Sequence, residues 1–128
     1  MKQILVDTDI LLDHLTTGEK TSTLMKLMSR YDCFTTVINA IEVYEFAGEE
    51  YKKYADMVLY GFKVLGIHSR YAEKVADLIN GASRHNFDWN LRDAIIVMMA
   101  AQNKLILTTF NHEKYLNYNN VKLLKINK

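Results

Sequence analysis

The most constraining feature of this chain is a short apolar run, Ile4-Leu5-Val6, that ends on Asp7 and passes at once into Thr8-Asp9-Ile10-Leu11-Leu12-Asp13. A run of this length reads as a buried strand, and an acid at its end is delivered to the rim of a sheet, where a ligand can reach it. Further apolar runs at residues 34–38, 62–65, 105–108 and 121–126 read as strands, with helical periodicity between them. Strands alternating with helices predict an α/β fold with a mostly parallel sheet of four to five strands flanked by helices. In such folds ligands bind beyond the carboxyl ends of the strands, at the switch point of the topology.

The spacing predicts helices over residues 10–15, over 20–30 through Leu24, Leu27 and Met28, and over 41–60 with a break near Gly48. Another is expected over 68–79, carrying Tyr71, Val75, Leu78 and Ile79 on one side with Gly81 as its stop signal. The run over 91–101 is apolar nearly all round, which suits a helix buried between a sheet and other helices. No repeat, low-complexity tract or Gly/Ser-rich linker interrupts the pattern, so one domain spanning 1–128 is the simplest partition. At 128 residues and 49% hydrophobic content, such a domain buries about two-thirds of the surface its unfolded chain exposes.

Composition narrows the rest. The single cysteine, Cys33, cannot pair within the chain, and in Asp32-Cys33-Phe34 it suits a small buried hydrophobe in a reducing compartment. The apolar run after Lys2 is too short for a signal peptide, and no segment approaches the length of a membrane span, so a cytoplasmic protein without membrane association is expected. The net charge of +1 argues neither for nor against nucleic acid, which leaves local patches to decide.

Three acids from distant sequence stand where they would meet at one rim. Asp7 ends the first strand, where it also suits a helix cap. Glu42 follows the second strand in Ile38-Asn39-Ala40-Ile41-Glu42, where Asn39 and Glu42 have capping-box spacing. Asp93 follows Asn90 at the same spacing but enters an apolar helix, where an uncompensated charge is costly. Clustered carboxylates are what a hard divalent cation needs, and a cation at that rim would supply the compensation. Asp9 suits a supporting position, Asp13 an exposed helix face. Thr109 and Asn111 either hydrogen-bond the same site or cap the next turn. His14, His68, His85 and His112 have no partner at metal-ligand spacing. Neither a Ser/His/Asp arrangement nor a Gly-rich phosphate loop is visible.

Four blocks resemble the PIN-domain nucleases, and more particularly the small VapC-type toxins of toxin–antitoxin pairs. They are Leu5-Val6-Asp7-Thr8-Asp9-Ile10-Leu11-Leu12-Asp13, Ile38-Asn39-Ala40-Ile41-Glu42-Val43-Tyr44, Arg92-Asp93-Ala94-Ile95-Ile96 and Leu107-Thr108-Thr109-Phe110-Asn111, in the family's order and spanning nearly the whole chain. The resemblance implies a three-layer PIN-like domain and a metal-dependent endoribonuclease that hydrolyses RNA phosphodiesters with Mg²⁺ or Mn²⁺, leaving 5′-phosphate and 3′-hydroxyl ends. By position, Asp7, Glu42 and Asp93 match the catalytic, metal-binding acids, with Asp7 and Asp93 as direct ligands and Glu42 acting through water or on the nucleophile. Thr8 and Thr109 match small polar positions lining the site. The chain departs from the family at Asp9, often asparagine or serine there, and at Asn111, frequently aspartate. The second change removes an anionic ligand and leaves open whether one or two ions bind.

Arg84 and Arg92, near His85 and Trp89, offer a local patch for RNA phosphates or an unpaired base. Tyr44, Phe46, Tyr51, Tyr54, Met57, Val58 and Tyr60 are more aromatic surface than one helix side needs, and the resemblance implies an antitoxin segment docking there and a homodimer. Two rivals stand beside this reading. One is a PIN-like RNA- or protein-binding module that has lost turnover, suggested by Asn111. The other is a phosphotransferase using Asp7 and Asp9, which Ile10-Leu11-Leu12 does not favour.

Overall fold

A computed structural model of the chain describes residues 1–17, 22–84, 90–116 and 121–126, the side chains of 82–84 excepted. Among the described residues five strands form one sheet: β1 (Gln3–Val6), β2 (Asp32–Thr36), β3 (Lys63–Leu65), β4 (Ile106–Thr109) and β5 (Leu123–Lys125). Their order is β3-β2-β1-β4-β5 and every pairing is parallel. From β1 the chain steps outward through β2 to β3 and then crosses back to β4 on the other side of β1, so the switch point lies between β1 and β4, beside Asp7 at the carboxyl end of β1.

Among the described residues six α-helices cover the two faces: α1 (Thr8–Thr17), α2 (Thr23–Arg30), α3 (Val37–Ala47), α4 (Lys52–Tyr60), α5 (Ala72–Arg84) and α6 (Leu91–Gln102). The period-2 alternation of β1 sorts the core between them. Ile4 and Val6 join Ile10, Leu11, Leu24, Val43 and Leu59 on the side of α1 to α4. Leu5 faces the other way, into Val75, Ile96, Val97, Met99 and Leu107 on the side of α5 and α6. The result is the three-layer α/β architecture the residue pattern predicts.

Several boundaries differ from the sequence-based expectation. The second strand stops at Thr36, and Val37 and Ile38 open α3, because Thr36 caps that helix: its hydroxyl accepts the Asn39 N–H at 3.3 Å while Asn39 Oδ1 accepts the Thr36 N–H at 3.1 Å. The capping box is therefore Thr36/Asn39, not Asn39/Glu42, and it leaves Glu42 free for other partners. Gly81 is not a stop, since α5 runs on to Arg84 and nothing lies within 4 Å of where a Cβ would sit on it. The expected break near Gly48 is present. That residue closes α3 at φ 63°, ψ −169°, a conformation glycine adopts without strain. Cys33 is buried, and burial together with the charge of Asp32 pushes its thiol up to about 11. No helix among the described residues is long and apolar enough to cross a membrane.

Candidate active site

Side chains from the end of β1, the first turns of α1 and α6, α3 and the segment after β4 meet at this rim. Asp7 continues the ladder one step past β1, its N–H donating to the Thr108 carbonyl at 2.9 Å, and its Oδ1 accepts the Thr8 N–H at 2.8 Å. Asp7 thus stands at the rim, and its side chain meets the adjacent N–H rather than the second or third N–H of α1 that a helix cap takes. Asn39, fully buried in the first turn of α3, donates from Nδ2 to Asp7 Oδ1 at 3.1 Å and to Thr8 Oγ1 at 2.9 Å. Glu42, one turn further along α3, accepts the Thr8 hydroxyl at 2.6 Å. Asp93 arrives from the first turn of α6, which Asn90 caps by accepting the Asp93 N–H at 2.8 Å. An acid at a helix N-terminus is favoured by the macrodipole.

These three acids are brought together, and the group they converge on is Arg92. Its Nη2 lies 2.7 Å from Asp7 Oδ1 and 2.8 Å from Glu42 Oε1, and its Nη1 lies 3.2 Å from Asp93 Oδ1. Its Nε donates to both Glu42 oxygens at 3.2 Å. Burial alone would lower the pKa of this guanidinium, but the hydrogen bond to Glu42 and the charge of Asp7 outweigh it and raise it further, so Arg92 stays charged. Lys114 adds a second cation 2.8 Å from Asp93 Oδ1. Arg92, expected with Arg84 in a local patch for RNA phosphates, points into the acid cluster. The other half of that patch, the Arg84 side chain, lies outside the described residues, as do His85 and Trp89.

Two members of the site carried no local signal. Tyr115, in a short 3-10 helix after β4 (His112–Tyr115), is fully buried; its hydroxyl donates to Asp7 Oδ2 at 3.1 Å and accepts from Arg92 Nη1 at 2.9 Å. Burial, and next the charge of Asp7, raise its pKa well above the ordinary phenol value, which keeps the proton in place for donation. Lys114 is its chain neighbour. Only their spacing after β4 hints at either.

Asp9 forms a second knot. From the first turn of α1 its Oδ2 accepts the Thr109 hydroxyl at 2.8 Å and the N–H groups of Phe110 at 3.0 Å and Asn111 at 3.3 Å. Thr109 is thus spent on Asp9, and Asn111 meets it through the backbone. Burial first, and the nearby Asp7 charge second, raise the pKa of Asp9 despite these bonds. Of the histidines, His14 bonds Ser22 Oγ at 2.7 Å and His68 accepts the Arg70 N–H, whereas the buried Nδ1 of His112 has no hydrogen-bond partner among the described residues.

Together these residues line a cleft of about 400 Å³ between Asp7, Asp9, Glu42, Asn90, Arg92, Asp93, Asn111 and Lys114. Its donor set is carboxylate oxygen, the chemistry of a hard divalent cation. Four acids face two cations there, so the lining keeps a surplus of negative charge. Among the described residues no three acids, histidines or cysteines stand in metal-ligating geometry, because Arg92 sits between them. The donors fit a divalent ion; their present arrangement serves a guanidinium.

An all-parallel α/β domain with a carboxylate cluster at the switch point of its sheet is a class that binds charged ligands at that rim. The match to the PIN domain family model covers residues 4–118, so the chain belongs to the PIN domain family, which is a family of nucleases. Among curated proteins none matches it in sequence. Among solved structures it resembles a chain of VapBC2 from Rickettsia felis bound to promoter DNA, with a TM-score of 0.81, 14% identity and 98% and 99% of the two chains covered. It also resembles a chain of a toxin–antitoxin complex from Klebsiella pneumoniae, with a TM-score of 0.75, 25% identity and coverage of 96% and 99%. A third likeness is to VapBC-1 from nontypeable Haemophilus influenzae, with a TM-score of 0.79, 14% identity and coverage of 96% and 97%.

Proposed function

We propose that this chain, as one PIN-like unit over 1–128, is a divalent-metal-dependent endoribonuclease and the toxin of a VapBC-type pair. The observation that carries the reading is the convergence of Asp7, Glu42 and Asp93 at the carboxyl end of the central strand, Asp7 and Glu42 held by the buried Asn39 and Thr8 and Asp93 by Arg92 and Lys114. When bound, Mg²⁺ or Mn²⁺ supplies charge stabilisation at the phosphoryl group and a water of lowered pKa. Asp7 and Asp93, the two buried acids, hold the ion. Glu42, the more exposed, orients the attacking water. Asn39 and Tyr115 anchor Asp7, and Thr8 anchors Glu42, by hydrogen bonds that hold the carboxylates at the rim. Lys114 and Asn111, at the mouth of the cleft, stand where an RNA phosphate would approach.

A partner surface lies on the α1–α4 side of the sheet. His14, Leu15, Leu24, Met28, Tyr54, Met57 and Val58 line a cleft of about 450 Å³, and Phe46, Tyr51, Tyr54, Met57 and Tyr60 are exposed around α3 and α4. An amphipathic antitoxin segment fits such a groove. Cytoplasmic location and a homodimer complete the proposal; the solved relatives, described as toxin–antitoxin complexes, support the antitoxin partner.

The test is incubation of the purified protein with a structured RNA pool in Mn²⁺, beside Asp7→Asn. Cleavage by the parent alone is expected. Cleavage by both forms overturns the assignment of Asp7. Cleavage by neither favours the second reading, a binding module without turnover, which Asn111 and the Arg92 contact would suit.

A further inference from the structure

We propose that Arg92 is an internal counter-ion that closes the acid cluster against a divalent cation, so that loading the site requires its guanidinium to swing out. The inference rests on the metal-dependent reading above and adds to it a resting state set by the chain itself.

Three observations carry it. Arg92 contacts all three acids at once, through Nη2 to Asp7 and Glu42 and through Nη1 to Asp93, at 2.7–3.2 Å. A metal ion drawing on the same three carboxylates would have to share lone pairs already committed to the guanidinium. Second, the arginine has a way out. It belongs to the first turn of α6 at the edge of an open cleft, with 23% of its side chain exposed. Third, the acids keep their places without it. Asp7 retains Asn39, Tyr115 and the Thr8 N–H, Glu42 retains Thr8, and Asp93 retains Lys114. Arg92 is therefore the removable member of the cluster. Because its charge cannot be titrated away near neutrality, it leaves by displacement, and weak cation binding follows from the repulsion it opposes.

Mn²⁺ binding to the full chain, followed by electron paramagnetic resonance of the free ion, tests this in the parent and in Arg92→Gln. Swinging the guanidinium out breaks its contacts with three carboxylates, and a net loss equal to one hydrogen bond to a charged group already weakens binding by roughly tenfold. Arg92→Gln is accordingly expected to bind Mn²⁺ at least about tenfold more tightly. Equal or weaker binding by the variant overturns the inference and leaves the metal reading standing. Absence of binding to both forms overturns the metal reading itself. A second measurement needs no variant: in the parent, the Arg92 Nε–H resonance, held by Glu42, should lose its protection from solvent exchange as Mg²⁺ saturates the Asp7 amide shift. An unchanged Nε–H signal at saturation also overturns the inference.

Discussion

Replacing Tyr115 with phenylalanine removes one oxygen and leaves the ring, so the change isolates the hydroxyl without opening a cavity. That oxygen is buried, donates to Asp7 Oδ2 at 3.1 Å and accepts from Arg92 Nη1 at 2.9 Å. Hydrogen bonds to charged groups contribute about 1.5–3 kcal/mol each, and an unsatisfied buried group costs about as much. Asp7 and Arg92 both keep other partners, which tempers the loss to about 2–4 kcal/mol in total. Against the roughly 5–15 kcal/mol that holds a domain folded, this is a large fraction. With a urea dependence of about 1–3 kcal/mol per molar, the unfolding midpoint should fall by about 1–2 M with an unchanged slope. Tyr71→Phe provides the control, because its hydroxyl meets Arg70 only at 3.4 Å, and it should shift stability by less than about 0.5 kcal/mol. A Tyr115→Phe variant within about 0.5 kcal/mol of the parent, measured by urea unfolding in chelator, would refute the claim that this hydroxyl braces the acid cluster.

Three further outcomes follow from single residues. Burial and the Asp7 charge raise the pKa of Asp9 above its ordinary 3.8, so its contribution is fully present below that value and is lost as pH rises through the raised folded pKa. Asp9→Asn should flatten the fall in stability over that interval, and urea midpoints that keep the parental pH slope would contradict this. Cys33, with its thiol pushed up to about 11 against an ordinary 9.0, should alkylate at least about a hundredfold more slowly in the native state than in urea; equal rates would show that it is accessible. Gly48→Ala meets no atom within 4 Å, so its cost is backbone conformation alone, about 1–3 kcal/mol. A melting temperature equal to the parent's would remove the argument from φ.

The alternation of elements and the three acids were legible because they depend on local pattern: Ile4-Leu5-Val6 is too short and too apolar to be anything but a buried strand, and α6 has an acid in its first turn. What stayed hidden depends on contacts across the chain. Val37 and Ile38 look like strand residues, yet Thr36 and Asn39 cap each other and start a helix there. Asn39 reads as a local cap in sequence, but its Nδ2 is spent on Asp7 and Thr8, more than thirty positions away. Tyr115 meets Asp7 across a separation of 108 residues, which no periodicity encodes. Arg92 and Asp93 are adjacent, and sequence alone does not reveal that the guanidinium turns back into the cluster.

The sheet order has a consequence for how the chain is made. Of the described strands the central one is made first, while one flanking strand, β4, and the braces Lys114 and Tyr115 follow about a hundred residues later. Until then Asp7 lacks its backbone partner at Thr108 and its phenol donor, and the carboxylates cannot be gathered. A chain terminated between Asp93 and Lys114 thus carries all three acids without the braces that gather them.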